Sequence, residues 1–408
     1  MQRIKFLLAS ILLGCSFNTF AAIYDPADLV EIRPDSDRDS VLSFGGTMAA
    51  YNDTLAVSSP STDFNRGSVF VFVRQSPTSW TQQAEVVPPA GAAGNFGYPD
   101  VGLSGNTLIA TEAGDFTASV DIYIRRGTTW AFQQQLRFTG PERYGTPRIR
   151  AALDGDRLVV LDLRTSLAYP YRRVNGHWSR QSVLRRDANT PMWQSLAMSD
   201  SLLVFGAPRV AEGTYGASSM DGRGSLSIYA LQSSNTSSND EWVEQGRVGP
   251  KGYKLGAVTF GSTVDVSRSR IIGGSYTEDG GRGAAYVFAR GSDGKWAQTA
   301  RLQSVDNLAG RCFGRRVAIH YDRAAVSAPC LPAGGDQNDR SVDVFVRDSG
   351  KESWSRHDRL RQGYGRTASS VALSNCGVFV GSPSNGDNGT YDRAFALPQQ
   401  QCAAPIVK

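Results

Sequence analysis

Histidines, the side chains best suited to proton transfer near neutral pH, are few and far apart in this sequence. The three are His177, His320 and His357. His177 and His357 lie beside or close to tryptophans that recur along the chain, and His320 abuts a predicted turn. Because these positions fall in separate segments, they predict neither a Ser-His-Asp triad nor a histidine metal site.

Two short acidic segments resemble the SxDxGxxW turn sequence of sialidase-type enzymes. They are GSDGKW (291–296) and DSGKESW (348–354). Their glycine stands two or four residues before the tryptophan, whereas the enzyme pattern places it three residues before. We therefore interpret both segments as hairpin turns. Glycoside hydrolysis by a pair of carboxylates remains an alternative, because the sequence does not show which acids converge.

Arginine is the abundant side chain with the clearest capacity to bind a ligand. The chain has 37 arginines and 6 lysines, and a guanidinium group can bind carboxylates and phosphates in a bidentate way. Arg-Gly dipeptides precede three similar apolar runs, and aspartates lie in the same predicted loops. The candidate ligand face comprises Asp63, Arg66, Tyr215, Asp221, Arg223, Asp279, Arg282 and Asp336. In the structural alternative, glycine lets the backbone turn into a strand and arginine is a solvated rim residue.

The overall charge of the chain argues against nucleic acid as a partner. The formal net charge is +5 over 408 residues, which is small for a protein that binds a polyanion. Ten arginines lie between Arg143 and Arg186. They form either a patch for an acidic polymer or, as we favour, a solvated surface.

The first 21 residues predict a secretory signal peptide. Arg3 and Lys5 give a basic start, residues 6–17 are apolar, and a small-residue cleavage sequence ends at Ala21. No later segment reaches the roughly 20 apolar residues that span a bilayer. We expect a periplasmic, secreted or cell-surface protein. The residues before Cys15 also resemble a bacterial lipobox, so a membrane anchor at Cys15 stays an alternative.

A sequence repeat of about 50 residues predicts the strands that must position all these residues. A typical unit has a Phe-Gly dipeptide with an alternating strand, a strand that often ends in proline, a strand such as RGSVFVF (66–72), and a tryptophan with a fourth strand. Six tryptophans share one position in the unit: Trp80, Trp130, Trp178, Trp242, Trp296 and Trp354. We interpret them as residues that pack one unit on the next.

Seven units of four antiparallel strands predict an all-β protein, a seven-bladed β-propeller. The last unit has only three strands, and residues 27–34 read like a fourth. We therefore predict that this N-terminal strand closes the last blade and removes the open edge of the ring. The predicted domain is 22–400, with a tail at 401–408. The predicted blades are 44–88, 96–140, 145–186, 193–249, 257–304, 313–362 and 367–400 with 27–34.

The repeat units resemble FG-GAP repeats, which build the propeller of integrin α subunits. The likeness is carried by Phe44-Gly45, Phe313-Gly314 and LLVFGAP (202–208), and the chain looks most like exported bacterial relatives of that propeller. The resemblance implies ligand binding or cell adhesion. Integrin-type repeats often hold calcium in a DxDxDGxxD loop, but the matching turns here have at most two carboxylates, and Ca²⁺ takes six to eight oxygens. We expect no cofactor; a partial acidic loop at 387–392 leaves calcium as an alternative.

Four cysteines follow the predicted leader, and an even number in an exported chain suggests disulfides. Cys312 precedes the first strand of blade 6 and Cys330 follows its second strand. These strand ends are neighbours in a hairpin, so we predict a Cys312–Cys330 bond. Cys376 and Cys402 are predicted on the opposite face of blade 7 as a second pair.

These patterns favour an exported binding or adhesion module, without enzymatic activity, that recognises a protein or a glycan. The loops after the second and fourth strands of the blades share one face, which we take as the binding face because loops on a rigid scaffold carry function. The alternatives are a glycan hydrolase or lyase and a structural component of the cell envelope. Three or more Asp, Glu or Tyr side chains meeting at the channel mouth would favour an enzyme.

Overall fold

Seven small antiparallel sheets surround a central channel in the computed structural model. It describes residues 22–35, 41–90, 94–114, 117–139, 148–188, 190–209, 224–232, 241–253, 259–331, 335, 340–361, 370–383 and 392–398. Within these ranges no helix is long and apolar enough to cross a membrane. The predicted fold, a seven-bladed β-propeller, is confirmed.

The strands are short, and their bounds follow the repeat. The first fifteen are β1 (Ala22–Tyr24), β2 (Val30–Ile32), β3 (Met48–Tyr51), β4 (Thr54–Ser59), β5 (Ser68–Ser76), β6 (Ser79–Val86), β7 (Val101–Ser104), β8 (Thr107–Gly114), β9 (Thr117–Arg126), β10 (Thr129–Thr139), β11 (Ile149–Asp154), β12 (Arg157–Asp162), β13 (Leu167–Val174), β14 (His177–Arg180) and β15 (Leu184–Arg185). The others are β16 (Ser195–Ser199), β17 (Leu202–Ala207), β18 (Ser225–Gln232), β19 (Glu241–Val248), β20 (Val264–Ser267), β21 (Arg270–Ser275), β22 (Ala284–Arg290), β23 (Trp296–Leu302), β24 (Val317–His320), β25 (Arg323–Ala328), β26 (Ser341–Arg347), β27 (Trp354–Arg361), β28 (Ser370–Ser374), β29 (Gly377–Ser382) and β30 (Arg393–Ala396). Two single-turn helices, α1 (Thr62–Asn65) and α2 (Glu278–Gly281), follow β4 and β21, and a 3-10 helix spans Pro26–Asp28.

Each blade is formed by strands that are consecutive in the sequence. Blades 1 and 2 are β3–β6 and β7–β10, blade 3 is β11–β15, and blades 4, 5 and 6 are β16–β19, β20–β23 and β24–β27. Blade 7 is β28–β30 with β2. The first strand of every blade contacts the first strand of the next around a closed ring. These seven strands therefore line the channel.

The Phe-Gly dipeptides are explained by packing between blades. Phe44, Phe96, Phe260 and Phe313 are all buried, and Trp193 takes the equivalent place in blade 4, stacked on Phe205 at 3.9 Å between ring centroids. The glycine that follows is needed for a close approach of two blades. A Cβ on Gly45 would lie 2.7 Å from the Arg393 carbonyl oxygen, and its φ is +89°.

The six repeated tryptophans lie near the start of the outer strands. Each packs against the apolar core that its blade shares with the preceding blade: Trp80, Trp130, Trp178, Trp242, Trp296 and Trp354. Trp80 meets Phe379 of blade 7 edge to face at 5.2 Å. The Trp178 indole N–H donates a hydrogen bond of 3.1 Å to Gln133 of blade 2. A single residue position thus connects six of the seven blades with the blade before.

The N-terminal segment closes the ring, as predicted. β2 pairs with β30 in the antiparallel sense, with Val30 opposite Ala396. The preceding strand β1 was not predicted. It adds to the outer edge of blade 6 in parallel with β27, with Ala22 opposite Asp358. The N-terminal segment therefore joins blade 6 to blade 7.

The predicted disulfide between Cys312 and Cys330 is confirmed, with the two Cα atoms 5.4 Å apart. Cys376 is also disulfide-bonded. Its predicted partner Cys402 lies outside the described residues, so that pairing stays a prediction. Cys15 and the predicted signal peptide also lie outside the described residues.

Removal of the Cys312–Cys330 bond should lower the free energy of unfolding by about 3 kcal/mol. The bond closes a loop of 18 residues, and a loop of this length restricts the unfolded chain by an amount of that order. Urea unfolding of a Cys312→Ser, Cys330→Ser double variant beside the unmodified protein, both without reductant, measures the difference. Equal midpoints and slopes would contradict a stabilising role for the bond.

Candidate functional site

The arginine–aspartate pairs predicted on the ligand face lie at the two short helices. Arg66 is 3.4 Å from Asp63 at α1, and Arg282 is 3.5 Å from Asp279 at α2. Blades 6 and 7 separate these two loops on one side of the ring and blades 2 to 4 on the other, so the pairs do not form one cluster. The other predicted members of this face, Tyr215, Asp221, Arg223 and Asp336, lie outside the described residues.

Local geometry accounts for the Arg-Gly dipeptide at blade 1. The backbone N–H groups of Arg66 and Gly67 donate to the carbonyl oxygens of Asp63 and Thr62, which ends the helical turn. Gly67 has a φ of +83°, and a Cβ there would lie 2.6 Å from the Phe96 carbonyl oxygen. The close approach to Phe96 and the positive φ therefore account for the glycine at the entry into β5.

The mouth of the central channel holds a cavity of about 170 Å³ on the same face. Residues at or just before the first strand of all seven blades contribute to it. Its charged side chains are Asp100, Arg150 and Arg316, and hydroxyl groups surround them: Thr47, Ser195, Ser262, Thr263 and Ser370. The channel mouth is thus a polar site assembled by the whole ring.

Asp100 and Arg150 form a fixed ion pair at this mouth. A guanidinium nitrogen of Arg150 lies 3.0 Å from one carboxylate oxygen of Asp100. The other carboxylate oxygen accepts a hydrogen bond of 2.9 Å from the backbone N–H of Ala151. Asp100 belongs to blade 2 and its two partners to blade 3, so the pair joins neighbouring blades and neutralises its own charge.

Arg316 adds a second guanidinium at the start of the first strand of blade 6. It donates to the carbonyl oxygen of Arg315 at 3.4 Å. Burial, followed by repulsion from Arg150 and Arg315, lowers the pKa of Arg316 to about 10, and the group stays protonated at neutral pH. Among the described residues that line the cavity, two cations therefore face one carboxylate. An anion in the cavity would offset the excess charge.

Three of the hydroxyl groups are engaged in holding the ring together. Thr47 donates to the carbonyl oxygen of Gly97 at 2.8 Å, and Ser195 donates to that of Gly261 at 2.9 Å. Ser370 donates in the same way to Gly45. The hydroxyl oxygen of Ser262 is buried and has no hydrogen-bond partner among the described residues.

The acids and histidines do not converge at the channel mouth. Asp100 is the single carboxylate among the described residues that line the cavity, and it is already paired. His320 is the last residue of β24, the first strand of blade 6, and lies towards the opposite face. Burial and then the charges of Arg323 and Arg268 lower its pKa to about 4. In the part of the chain that the structure describes, no group of three His, Cys, Asp or Glu residues could hold a metal ion.

Sequence reasoning did not select Asp100, Arg150 or Arg316. The usable signal was the place of Arg316 in the repeat, three residues after the phenylalanine of Phe-Gly. Blades 1 and 5 have Thr47 and Thr263 at that place. This repeat position lies at the channel mouth in each of these blades. An arginine at a position where other blades have threonine was therefore a sign of a charged group at the mouth.

The comparisons with known proteins concern the fold. The sequence matches no protein-family model and no curated protein. The chain is similar to a protein from Lactobacillus plantarum at 14% identity and a TM-score of 0.46, covering 77% of this chain and 84% of that one. It is similar to a candidate 6-phosphogluconolactonase from Bacteroides uniformis at 10% identity and a TM-score of 0.48, covering 76% and 83%. It is similar to Sqt1 from Saccharomyces cerevisiae at 9% identity and a TM-score of 0.46, covering 88% and 96%. At these values the likenesses carry no argument about function.

Proposed function

We propose that this chain is an exported binding propeller that recognises a protein or glycan through the loops on one face. The channel mouth on that face accepts an anionic group of the ligand, most simply a carboxylate. The resemblance of the repeats to FG-GAP repeats supports a role in binding or adhesion. The excess of positive charge that Arg150 and the half-buried Arg316 give the described lining of the cavity supports the anionic character of the ligand.

The observation that carries this proposal is the charge balance of the 170 Å³ cavity. Asp100 pairs with Arg150 at 3.0 Å and also attracts Arg316, whose pKa is lowered by burial and then by repulsion from Arg150 and Arg315. A carboxylate placed between the two guanidinium groups would relieve that repulsion and accept charge-assisted hydrogen bonds. The described residues that line the cavity include one carboxylate, Asp100, whereas the glycan-hydrolase alternative needs a pair.

Substitution of Arg316 by glutamine should weaken carboxylate binding about tenfold or more. The loss of a hydrogen bond to a charged group costs roughly 1.5–3 kcal/mol. The measurement is calorimetric titration with trigalacturonate, sialyllactose and a triglutamate peptide, each beside a neutral counterpart of the same length. The matched control is Arg315→Gln, because Arg315 is adjacent and exposed but does not line the cavity.

The outcomes separate the proposal from its alternatives. Binding of a carboxylate probe that is lost in Arg316→Gln and kept in Arg315→Gln supports it. Equal loss in both variants would indicate a diffuse charge effect without a site, and would contradict it. Failure of every carboxylate probe to bind the unmodified protein would also overturn it.

A further inference from the structure

Blades 1 and 5 have the same local structure but opposite charge at one position. In both, a one-turn helix leads through Arg-Gly into the third strand of the blade. In the strand register, Phe70 faces Glu85 in blade 1 and Tyr286 faces Arg301 in blade 5. The first residue of the helix is Thr62 in blade 1 and Glu278 in blade 5. Glu85 therefore stands where blade 5 has an arginine.

In blade 5 this place is filled by a closed set of hydrogen bonds. A terminal guanidinium nitrogen of Arg301 lies 2.6 Å from Glu278, which is completely buried. The Nε–H of Arg301 donates to the Tyr286 hydroxyl at 3.1 Å, and that hydroxyl lies 2.8 Å from a Glu278 carboxylate oxygen. A guanidinium group thus occupies the space between the helix and the outer strand.

In blade 1 the same space is a cavity of about 340 Å³. Thr62 donates its hydroxyl to Ser59 at 2.6 Å and brings no charge. Glu85 is exposed and accepts a hydrogen bond of 2.7 Å from Ser68. Asp63 also lines the cavity, and its contact with Arg66 is exposed and long. Two carboxylates and one guanidinium therefore surround the space that an arginine fills in blade 5.

The walls of this cavity also suit the stem of a long basic side chain. Val41, Val87 and Pro88 line it together with the acids, and 54% of the Val87 surface is exposed. Arginine and lysine bury their methylene groups against apolar surface while the charged end meets a polar partner. An exposed valine beside two carboxylates provides both contacts.

We propose that the blade 1 cavity between Asp63, Arg66 and Glu85 receives an arginine or lysine side chain of a partner protein. The inserted cation binds Glu85 and Asp63 and takes the place that Arg301 fills in blade 5. The site lies on the loop face, as the channel mouth does, but it selects the opposite charge and is independent of the anion site.

The test uses immobilised peptides and the full chain in solution, measured by surface plasmon resonance. The probes are acetyl-Gly-Gly-Arg-Gly-Gly-amide and the same peptide with citrulline, which keeps the shape of arginine but has no charge. A lysine peptide shows whether any cation suffices. We expect the arginine peptide to bind at least about tenfold more tightly than the citrulline peptide, because a charge-assisted contact is worth more than 1.4 kcal/mol.

Two variants connect the binding to the cavity. Glu85→Gln should reduce the affinity for the arginine peptide about tenfold, because the charged acceptor is lost. The double variant Thr62→Glu, Glu85→Arg recreates the blade 5 pair, so it should fold normally and bind no basic peptide. Thermal unfolding and circular dichroism check folding, and Glu352→Gln, an exposed acid of blade 6, is the matched control.

Each result decides between the proposal and its rejection. Equal binding of the arginine and citrulline peptides overturns it, as does undiminished binding by a folded double variant. Binding by the lysine peptide as well assigns the site to cations in general, and binding by arginine alone assigns it to guanidinium; both support the proposal. The variant Arg316→Gln should leave peptide binding unchanged, so failure here is distinguishable from failure at the channel mouth.

Discussion

Replacement of Arg359 by methionine should lower the free energy of unfolding by about 4 kcal/mol, because it leaves a buried carboxylate without its partner. Arg359 lies on β27 and binds Asp343 of β26 through two hydrogen bonds of 2.6 and 2.9 Å. Asp343 is completely buried. The same guanidinium group donates to Ser304 at 2.6 Å and to Asp306 at 3.2 Å, so it also holds the loop between blades 5 and 6.

Urea unfolding of Arg359→Met against the unmodified protein measures this loss. The matched control is Arg361→Met on the same strand, whose side chain is 42% exposed and 3.9 Å from Asp25; we expect less than about 0.5 kcal/mol there. A double variant, Arg359→Met with Asp343→Leu, should recover most of the stability, since it removes both buried charges. Asp306 keeps its ion pair with Arg311 at 3.0 Å in that variant. Equal unfolding midpoints for Arg359→Met and Arg361→Met would contradict the buried-pair explanation.

Replacement of Asp121 by asparagine should stabilise the protein above pH 7. Asp121 in SVD (119–121) has the same repeat position as Asp343 in SVD (341–343), but it faces Gln135 across the sheet where Asp343 faces Arg359. Asp121 is completely buried, and neither carboxylate oxygen has a hydrogen-bond partner among the described residues. Burial, followed by the charge of Glu112, raises the pKa of Asp121 to about 7.

The direction of the pH dependence follows from that raised pKa. In the unfolded chain the group titrates near 3.8, so folding favours the protonated form. The stability associated with this proton is complete below about pH 4, falls as the pH rises towards 7, and is lost above it. The loss is at most about 4 kcal/mol, since each pKa unit corresponds to 1.36 kcal/mol. The neighbouring Gln135 amide and then the charge of Arg137 oppose the shift, and both contribute to the measured value.

Thermal unfolding of both proteins from pH 4 to pH 9 gives the comparison. The difference between Asp121→Asn and the unmodified protein should grow with pH up to about pH 7 and then level off. Asp265 also has a pKa raised to about 7 by burial, but it is present in both proteins and its contribution cancels in the difference. A difference that is constant over the whole pH range would show that Asp121 does not titrate as described.

The fold could be predicted from the sequence because its units repeat. Side chains that pack well between two blades also pack well between other pairs of blades. The Phe-Gly dipeptide therefore recurs in four of the seven units, as with Phe44-Gly45 and Phe313-Gly314. The closing strand 27–34 was found because its pattern completes an incomplete unit. Strand β1 was missed because three residues at the outer edge of blade 6 have no counterpart in the other units.

The fold, the strand order and one disulfide, Cys312–Cys330, were predictable from the sequence, because each depends on residues that are neighbours within one repeat or one hairpin. The candidate sites depend on which repeats face each other. Arg150 and Arg316 belong to blades 3 and 6, and only closure of the ring brings their charges together at the channel mouth. The blade 1 cavity likewise could not be predicted from the sequence. Glu85 and Arg301 occupy equivalent positions in the fold, but only the tertiary structure shows that the space beside Glu85 is empty.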